Sequence, residues 1–132
     1  MARILTKPFI MTLAKWNYTK EEWDGFRRWK TKQNGILRYL LSFLNFRQDR
    51  KAPEITIAGD RVWFNDFHEP FQNSSRRFMD INIREADRLN ILEISYEQKN
   101  KTKGINVLIP KGKLLEAFEV QDRLIVDSVS IG

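Results

Sequence analysis

Apolar and polar positions alternate over much of this 132-residue chain, and two stretches instead carry apolar residues at helical spacing. Residues 9–16 alternate in part and predict a first strand. Thr19 stands where a helix N-cap is expected, and Glu22 follows three residues later to complete a capping box. Tyr18 and Trp23 flank this cap at the positions of a hydrophobic staple. The pattern predicts a helix that begins just after Thr19 and breaks or kinks at residues 34–35.

The most apolar stretch of the chain covers residues 35–46 and contains Arg38. It is shorter than the roughly 20 residues that a bilayer-spanning helix needs. A buried helix is one interpretation, and a helix lying on a membrane surface is the other. A charged connector over residues 47–53 then ends in a proline.

After residue 54 the period changes to two, which predicts a series of antiparallel strands. Residues 55–57 and 62–64 form a hairpin around the turn at 58–60, while residues 65–70 end its second strand and 72–75 form a polar loop. Three further strands are predicted at residues 78–83, 89–96 and 105–109, with a charged loop at 98–104 before the last of them.

Pro110 and Gly112 predict a turn between the last strand and a C-terminal helix that begins near Leu114. A phosphate-binding P-loop is excluded because Gly112 has no second glycine before it and Leu114 stands where a hydroxyl is required. Lys111 and Lys113 nevertheless permit a weak anion site at the helix start. The predicted core side of this helix carries Leu114, Leu115, Phe118 and Leu124 or Ile125. Residues 126–131 alternate and predict a last strand or a tail.

The order of elements predicts one α+β domain over residues 1–132: a strand and helical segment (9–47), then an antiparallel meander of about five strands and a closing helix (54–125). A bent meander closed by its final helix would be a small roll of the pleckstrin-homology type.

Charge is unevenly distributed along the chain. Residues 1–53 carry 12 Lys and Arg against 4 Asp and Glu, a balance of +8, whereas residues 54–132 carry 11 against 13, a balance of −2. This asymmetry favours an anionic partner for the N-terminal part, either lipid or nucleic acid, although a solvated helix face has the same composition. The predicted anionic-partner contacts are Arg27, Arg28, Lys30, Lys32 and Arg38. The predicted apolar interface is Ile36, Leu40, Phe43 and Leu44, which would contact lipid, a protein partner or a second copy in a homodimer.

Aromatic residues alternate with basic ones along the first helix, as they do in surfaces that stack on nucleic-acid bases or lie at a membrane interface. The alternative is that Trp23, Phe26 and Trp29 form the core stripe of the helix. Nucleic-acid binding through this helix is therefore the second functional hypothesis.

Few residues suit catalysis or metal binding. The chain has no cysteine and one histidine, His68, which we assign to a loop. Without further nitrogen or sulfur ligands, no transition-metal site is expected. Carboxylates that could form an acid–base pair are Asp66, Glu69, Asp80, Glu85 and Asp87, each of which also fits a turn or strand exterior. The sequence predicts a non-enzymatic protein with no cofactor and no small-molecule substrate.

Two motifs give the chain a resemblance to a known family. They are Trp16-Asn-Tyr-Thr-Lys-Glu-Glu-Trp23 and Ile109-Pro110-Lys111 followed by the helix 114–124. In these the chain resembles the uncharacterised bacterial YcxB-like family. That resemblance implies a pleckstrin-homology-like C-terminal half and brings no catalytic residue with it. The family commonly carries transmembrane helices, for which residues 35–46 are too short. We expect a cytoplasmic interaction module, with peripheral attachment to the inner face of the membrane as an open option.

Overall fold

The computed structural model describes residues 11–33 and 52–131. The fold is α+β, as the alternation predicts, with nine elements in this part of the chain: β1 Thr12–Trp16, α1 Lys20–Gln33, β2 Ile55–Ala58, β3 Arg61–Phe64, β4 Phe67–Pro70, β5 Arg77–Ala86, β6 Leu89–Gln98, β7 Lys101–Leu108 and α2 Leu114–Ile131. The predictions for the helix break at 34–35 and the apolar stretch 35–46 lie outside the described residues. So do most of the connector 47–53 and the candidates Arg38, Ile36, Leu40, Phe43 and Leu44.

The strands form two antiparallel sheets, one with the order β1-β2-β3-β4 and one with the order β5-β6-β7. Two segments predicted as loops or strand ends are strands instead. Residues 67–70 form β4, because Asn65 adopts a positive φ of 57° and lets the chain reverse in a tight turn. The predicted loop 98–104 is a two-residue turn at Lys99 and Asn100, after which β7 begins at Lys101. Hence the meander has more strands than the predicted five.

One apolar cluster joins both sheets to α2. From the four-stranded sheet it takes Trp16, Ile57 and Val62, which are almost fully buried. The three-stranded sheet contributes alternate residues of β6, and α2 contributes a narrow stripe. The fully or nearly buried members from those two elements are Leu92, Ile94 and Tyr96, and Ala117, Val120 and Leu124.

Helix α1 covers the opposite face of the three-stranded sheet. Phe26 and Trp29 pack there in a second buried cluster with Ile91 of β6 and Leu108 of β7, which are paired across the two strands. Ile91 points away from Leu92 and Ile94 because successive side chains of a strand alternate between faces. One face of the three-stranded sheet is thus covered by the core that it shares with the four-stranded sheet and α2. The opposite face is covered by α1 where Ile91 and Leu108 lie.

The predicted capping box starts α1. The Oγ1 of Thr19 accepts a hydrogen bond from the Glu22 backbone N–H at 3.0 Å, and Glu22 Oε1 accepts one from the Thr19 N–H at 2.9 Å. The rings of Tyr18 and Trp23 lie 5.5 Å apart, as the staple predicts. Both predictions are confirmed.

The strand-to-helix junction is also as predicted. Gly112 adopts a φ of +86°, which its lack of a side chain permits, and α2 begins at Leu114. However, α2 runs on through residues 126–131, so the predicted last strand or tail is wrong. The predicted core side is also largely wrong: Leu115 is 74% exposed, and Ala117 and Val120 take the buried positions beside Leu124.

Candidate interaction surfaces

The basic residues predicted on α1 do not form one continuous surface. Arg28 and Lys32 are exposed, and Lys32 lies 4.0 Å from the carboxylate of Asp87. Arg27 is half-buried and donates to Asp24 at 2.6 Å. Lys30 is also half-buried, and removal of water from its ammonium group lowers its pKa. Two of the four described candidates are therefore turned to solvent.

The aromatic residues of α1 are structural. Phe26 and Trp29 are only 4% and 3% exposed. Trp23 is half-buried, and its ring centroid lies 5.2 Å from that of Phe26. The core-stripe interpretation fits this helix, and its rings are not presented for stacking on a nucleic-acid base.

An apolar surface lies on the outside of α2, and all of its residues except Val126 were predicted to face the core. It consists of exposed side chains in two adjacent rows of the helix, 114, 118 and 125 in one row and 115 and 126 in the next. We call this surface the outer face of α2; its members are Leu114, Leu115, Phe118, Ile125 and Val126.

Carboxylates outnumber basic side chains on α2. The helix carries four carboxylates, Glu116, Glu119, Asp122 and Asp127, against one basic residue, Arg123, a balance of −3. Glu116 accepts a hydrogen bond from the indole Nε1 of the buried Trp16. The apolar residues of this 18-residue helix point in most directions around its axis. This pattern indicates that α2 has more apolar surface than its contact with the core can bury.

A polar cleft of about 370 Å³ opens between the β4–β5 loop and the β6–β7 turn. Its walls carry hydroxyl, amide and charged groups and no apolar side chain: Gln72, Asn73, Ser74, Ser75, Arg76, Arg77, Glu97, Lys99 and Asn100. The loop is held by Asn73, whose Oδ1 accepts from the backbone N–H groups of Ser75 and Arg76. No local sequence pattern indicates this cleft, because its two walls are at least twenty residues apart in the chain.

Beside the cleft, three side chains join the two sheets. Arg76 donates to Glu69 at 2.7 Å, and Tyr96 donates to the same carboxylate oxygen at 3.2 Å. The guanidinium group of Arg76 also lies over the Tyr96 ring, 4.9 Å from its centroid. Burial, followed by the charge of Glu69, raises the pKa of Tyr96. The network connects β4 to β6.

The candidate catalytic carboxylates are dispersed. Glu69 is bound to Arg76, Asp80 accepts from the amide of Asn82, and Asp87 lies at the β5–β6 turn. No group of three or more His, Asp or Glu side chains that could hold a metal ion occurs within residues 11–33 and 52–131.

His68 lies in a strand, which corrects its assignment to a loop. It pairs with Trp63 across β3 and β4, and the two ring centroids are 4.7 Å apart. Its Nδ1 is 3.3 Å from the guanidinium group of Arg61.

The weak anion site that Lys111 and Lys113 permitted has a carboxylate next to it. Glu22 Oε2 accepts the backbone N–H of Lys111 at 2.7 Å, and the Lys113 N–H donates to the Pro110 carbonyl oxygen. The backbone amides of Lys111 and Lys113 are therefore both bonded to protein groups.

Neither of the two helices in the described part of the chain is long and apolar enough to cross a membrane. Comparison of the sequence with protein-family models and curated proteins, and of the structure with solved structures, gave no match.

Proposed function

We propose that this protein is a non-enzymatic interaction module that binds a cationic amphipathic helix of a partner protein on the outer face of α2. The observation that carries the proposal is the exposure of large apolar side chains on one helix: Leu115 at 74%, Val126 at 58% and Phe118 at 44%. Contiguous exposed apolar residues are typical of protein-binding surfaces.

Burial of this surface would contribute favourable free energy to a complex. Full burial of one large apolar side chain contributes about 1.5–3 kcal/mol. Phe118 and Leu115 lie on adjacent rows of α2, so one partner helix can cover both. An aromatic residue at such a position is the kind of residue that dominates binding energy at interfaces.

The negative charge of α2 favours a positively charged partner. The carboxylates of Glu119 and Asp122 lie in or beside the apolar rows, and the helix as a whole has a balance of −3. A second copy of α2 would bring a like charge against this surface, which opposes a homodimer here. A partner helix with an apolar stripe flanked by Lys and Arg would bury the apolar residues and pair with the carboxylates.

The architecture supports a binding module. The proposal includes a pleckstrin-homology-type roll, which the sequence predicts from an antiparallel meander closed by a C-terminal helix; in the structure α1 lies between the first two strands of the chain. The resemblance to the YcxB-like family and a cytoplasmic location remain part of this proposal. Because one fold can carry many unrelated functions, the fold by itself identifies no partner.

The test is binding of two synthetic helical peptides to the full chain, one an amphipathic Leu/Lys peptide and the other a Leu/Glu peptide with the same apolar spacing. We expect the Leu/Lys peptide to bind and the Leu/Glu peptide to bind far more weakly. Leu115→Ser and Phe118→Ser should each weaken binding about tenfold, which corresponds to roughly 1.4 kcal/mol. Titration calorimetry measures both.

Phe67→Ser is the matched control, because Phe67 is an exposed aromatic residue on β4, away from α2. It should leave peptide binding unchanged. Equal binding of the two peptides would overturn the proposal, as would sedimentation of the chain as a dimer that Leu115→Ser dissociates. If residues 34–51 of the chain itself occupy the face, neither peptide binds and Leu115→Ser lowers the free energy of unfolding, which also overturns it.

A further inference from the structure

Basic side chains collect around the polar cleft at the end of the three-stranded sheet where the β6–β7 turn lies. Arg76, Arg77 and Lys99 line the cleft itself. Lys101 and Lys103 follow on β7, opposite Gln98 and Tyr96 of β6. These five residues are the hairpin cations.

The hairpin cations outnumber the nearby carboxylates. Glu69 is bound to Arg76, and Glu97 is bound to Arg77. In the part of the chain that the structure describes, Lys99, Lys101 and Lys103 have no carboxylate partner, and all three are exposed. The end of the sheet therefore keeps a balance of about +3, while α2 has a balance of −3. Such a local excess attracts multivalent anions.

The neutral groups of the cleft are also suited to an anion. Ser74 contributes a hydroxyl and Asn100 an amide, and neither side chain bonds to another protein group among the described residues. Hydroxyl and amide N–H groups donate to phosphate oxygens. Carboxylate oxygens, which would repel phosphate, are limited in the cleft wall to Glu97.

Both walls of the cleft are held in place before any ligand arrives. Asn73 fixes the β4–β5 loop through its bonds to Ser75 and Arg76, while Gln72 accepts the backbone N–H of Phe78. Opposite, Lys99 and Asn100 form a two-residue hairpin turn with φ values of 53° and 65°. A site whose donors are already positioned loses little conformational entropy on binding.

We infer that the cleft and the hairpin cations bind a phosphate-bearing anion. The shared chemistry is a compact group with two or more negative charges, which either a lipid headgroup or a soluble phosphate compound supplies. The cleft volume of about 370 Å³ is large enough for such a group, and a lining without apolar side chains does not suit a large apolar ligand.

The experiment compares the full chain with a triple variant, Lys99→Asn, Lys101→Gln and Lys103→Gln. Asn is used at 99 because it tolerates the positive φ. One arm titrates inorganic pyrophosphate by amide NMR shifts, and the other measures sedimentation with vesicles of phosphatidylcholine and phosphatidylserine in equal parts. Near an anionic surface each lysine contributes about 1 kcal/mol, so the triple variant should bind vesicles about a hundredfold more weakly. Pyrophosphate binding should fall at least about tenfold.

A matched control removes three exposed positive charges elsewhere, Lys15→Gln, Arg28→Gln and Lys32→Gln. It should retain most of the binding, with amide shifts centred on residues 72–77 and 97–100. Pyrophosphate binding alone assigns a soluble ligand, and vesicle binding alone assigns a lipid surface. Binding to neither probe overturns the inference. So does a loss of binding in the control with none in the triple variant, because the anion contact would then be on α1. Thermal unfolding of both variants verifies that each is folded.

Discussion

At the scale of single residues, Tyr18 shows how one side chain fixes the position of α1. Its hydroxyl donates to the Leu108 carbonyl oxygen at 2.7 Å, and its ring packs against Trp23. Burial, followed by the charge of Glu22, raises the pKa of Tyr18 well above its ordinary value of 10.0. The hydroxyl therefore keeps its proton in the folded protein at pH values where the unfolded chain loses it.

This pKa shift predicts a loss of stability in alkali. Above pH 10.0 the unfolded state binds fewer protons at Tyr18 than the folded state, so the free energy of unfolding falls as pH rises. Tyr18→Phe should cost about 1 kcal/mol at neutral pH through the lost hydrogen bond, and should reduce the alkaline fall. Urea unfolding at about pH 8 and about pH 11 measures both effects. Parallel pH dependence in the two proteins would contradict the role given to Tyr18.

Local residue patterns predicted the capping box correctly because both of its bonds join residues three apart. The second bond of Glu22, from the Lys111 N–H, joins residues 89 apart. No local pattern indicates such a contact. The same applies to Tyr18 and the Leu108 carbonyl oxygen, 90 residues apart.

At the scale of elements, both hairpins of the three-stranded sheet turn without glycine. Asp87 and Arg88 adopt φ values of 51° and 69°, and Lys99 and Asn100 are similar. Type I′ turns require positive φ at both central residues, and Asn-Gly is their usual sequence. Because that signal is missing at Lys99 and Asn100, the sequence analysis predicted a loop over 98–104 where a tight turn joins two strands.

The turn at Arg88 provides a stabilising substitution. A non-glycine residue in the left-handed region costs about 1–2 kcal/mol, and Arg88 is exposed. Arg88→Gly should therefore raise the free energy of unfolding by about 1 kcal/mol, measured as a higher thermal midpoint. Gly112→Ala is the converse control, because Gly112 has a φ of +86° with open space around it, and it should lower the midpoint. A lower midpoint for Arg88→Gly would be the contrary result.

The incorrect core side of α2 has a physical explanation. Leu114, Phe118 and Ile125 have the spacing of a core stripe, and so do Ala117, Val120 and Leu124. The sheets leave room for one of these stripes. Which stripe is buried depends on the direction from which the helix meets the sheets, and that is set by contacts such as Gln121 donating to the Ile81 carbonyl oxygen at 3.0 Å.

At the scale of the whole molecule, the two apolar clusters lie on opposite faces of the three-stranded sheet. Neighbouring residues Ile91 and Leu92 of β6 belong to different clusters, and so do Val107 and Leu108 of β7. Removal of α1 would therefore uncover one face of the sheet that supports the main core. The alternation of apolar residues predicted the α+β class, but it could not predict which face α1 covers.

This arrangement predicts a large effect of Trp29→Ala on global stability. Trp29 is buried and lies under the Arg84 guanidinium group, 5.5 Å from ring centroid to Cζ. The substitution should lower the free energy of unfolding by about 3–5 kcal/mol. Trp63→Ala, at a half-exposed ring on the four-stranded sheet, should cost clearly less. Urea unfolding followed by circular dichroism gives both values. A loss for Trp29→Ala that is no larger than the loss for Trp63→Ala would contradict the prediction.

The contacts of α1 also determine when this helix can become buried during synthesis on the ribosome. The helix is made early, but its burial partners Ile91 and Leu108 are synthesised more than fifty residues after it, together with the Lys111 amide that Glu22 binds. Until those strands emerge, the aromatic side of α1 has no described surface to pack against. During synthesis the aromatic side of α1 is therefore buried only after β6 and β7 have been made, and the position of α1 on the sheet is fixed only when β7 is in place.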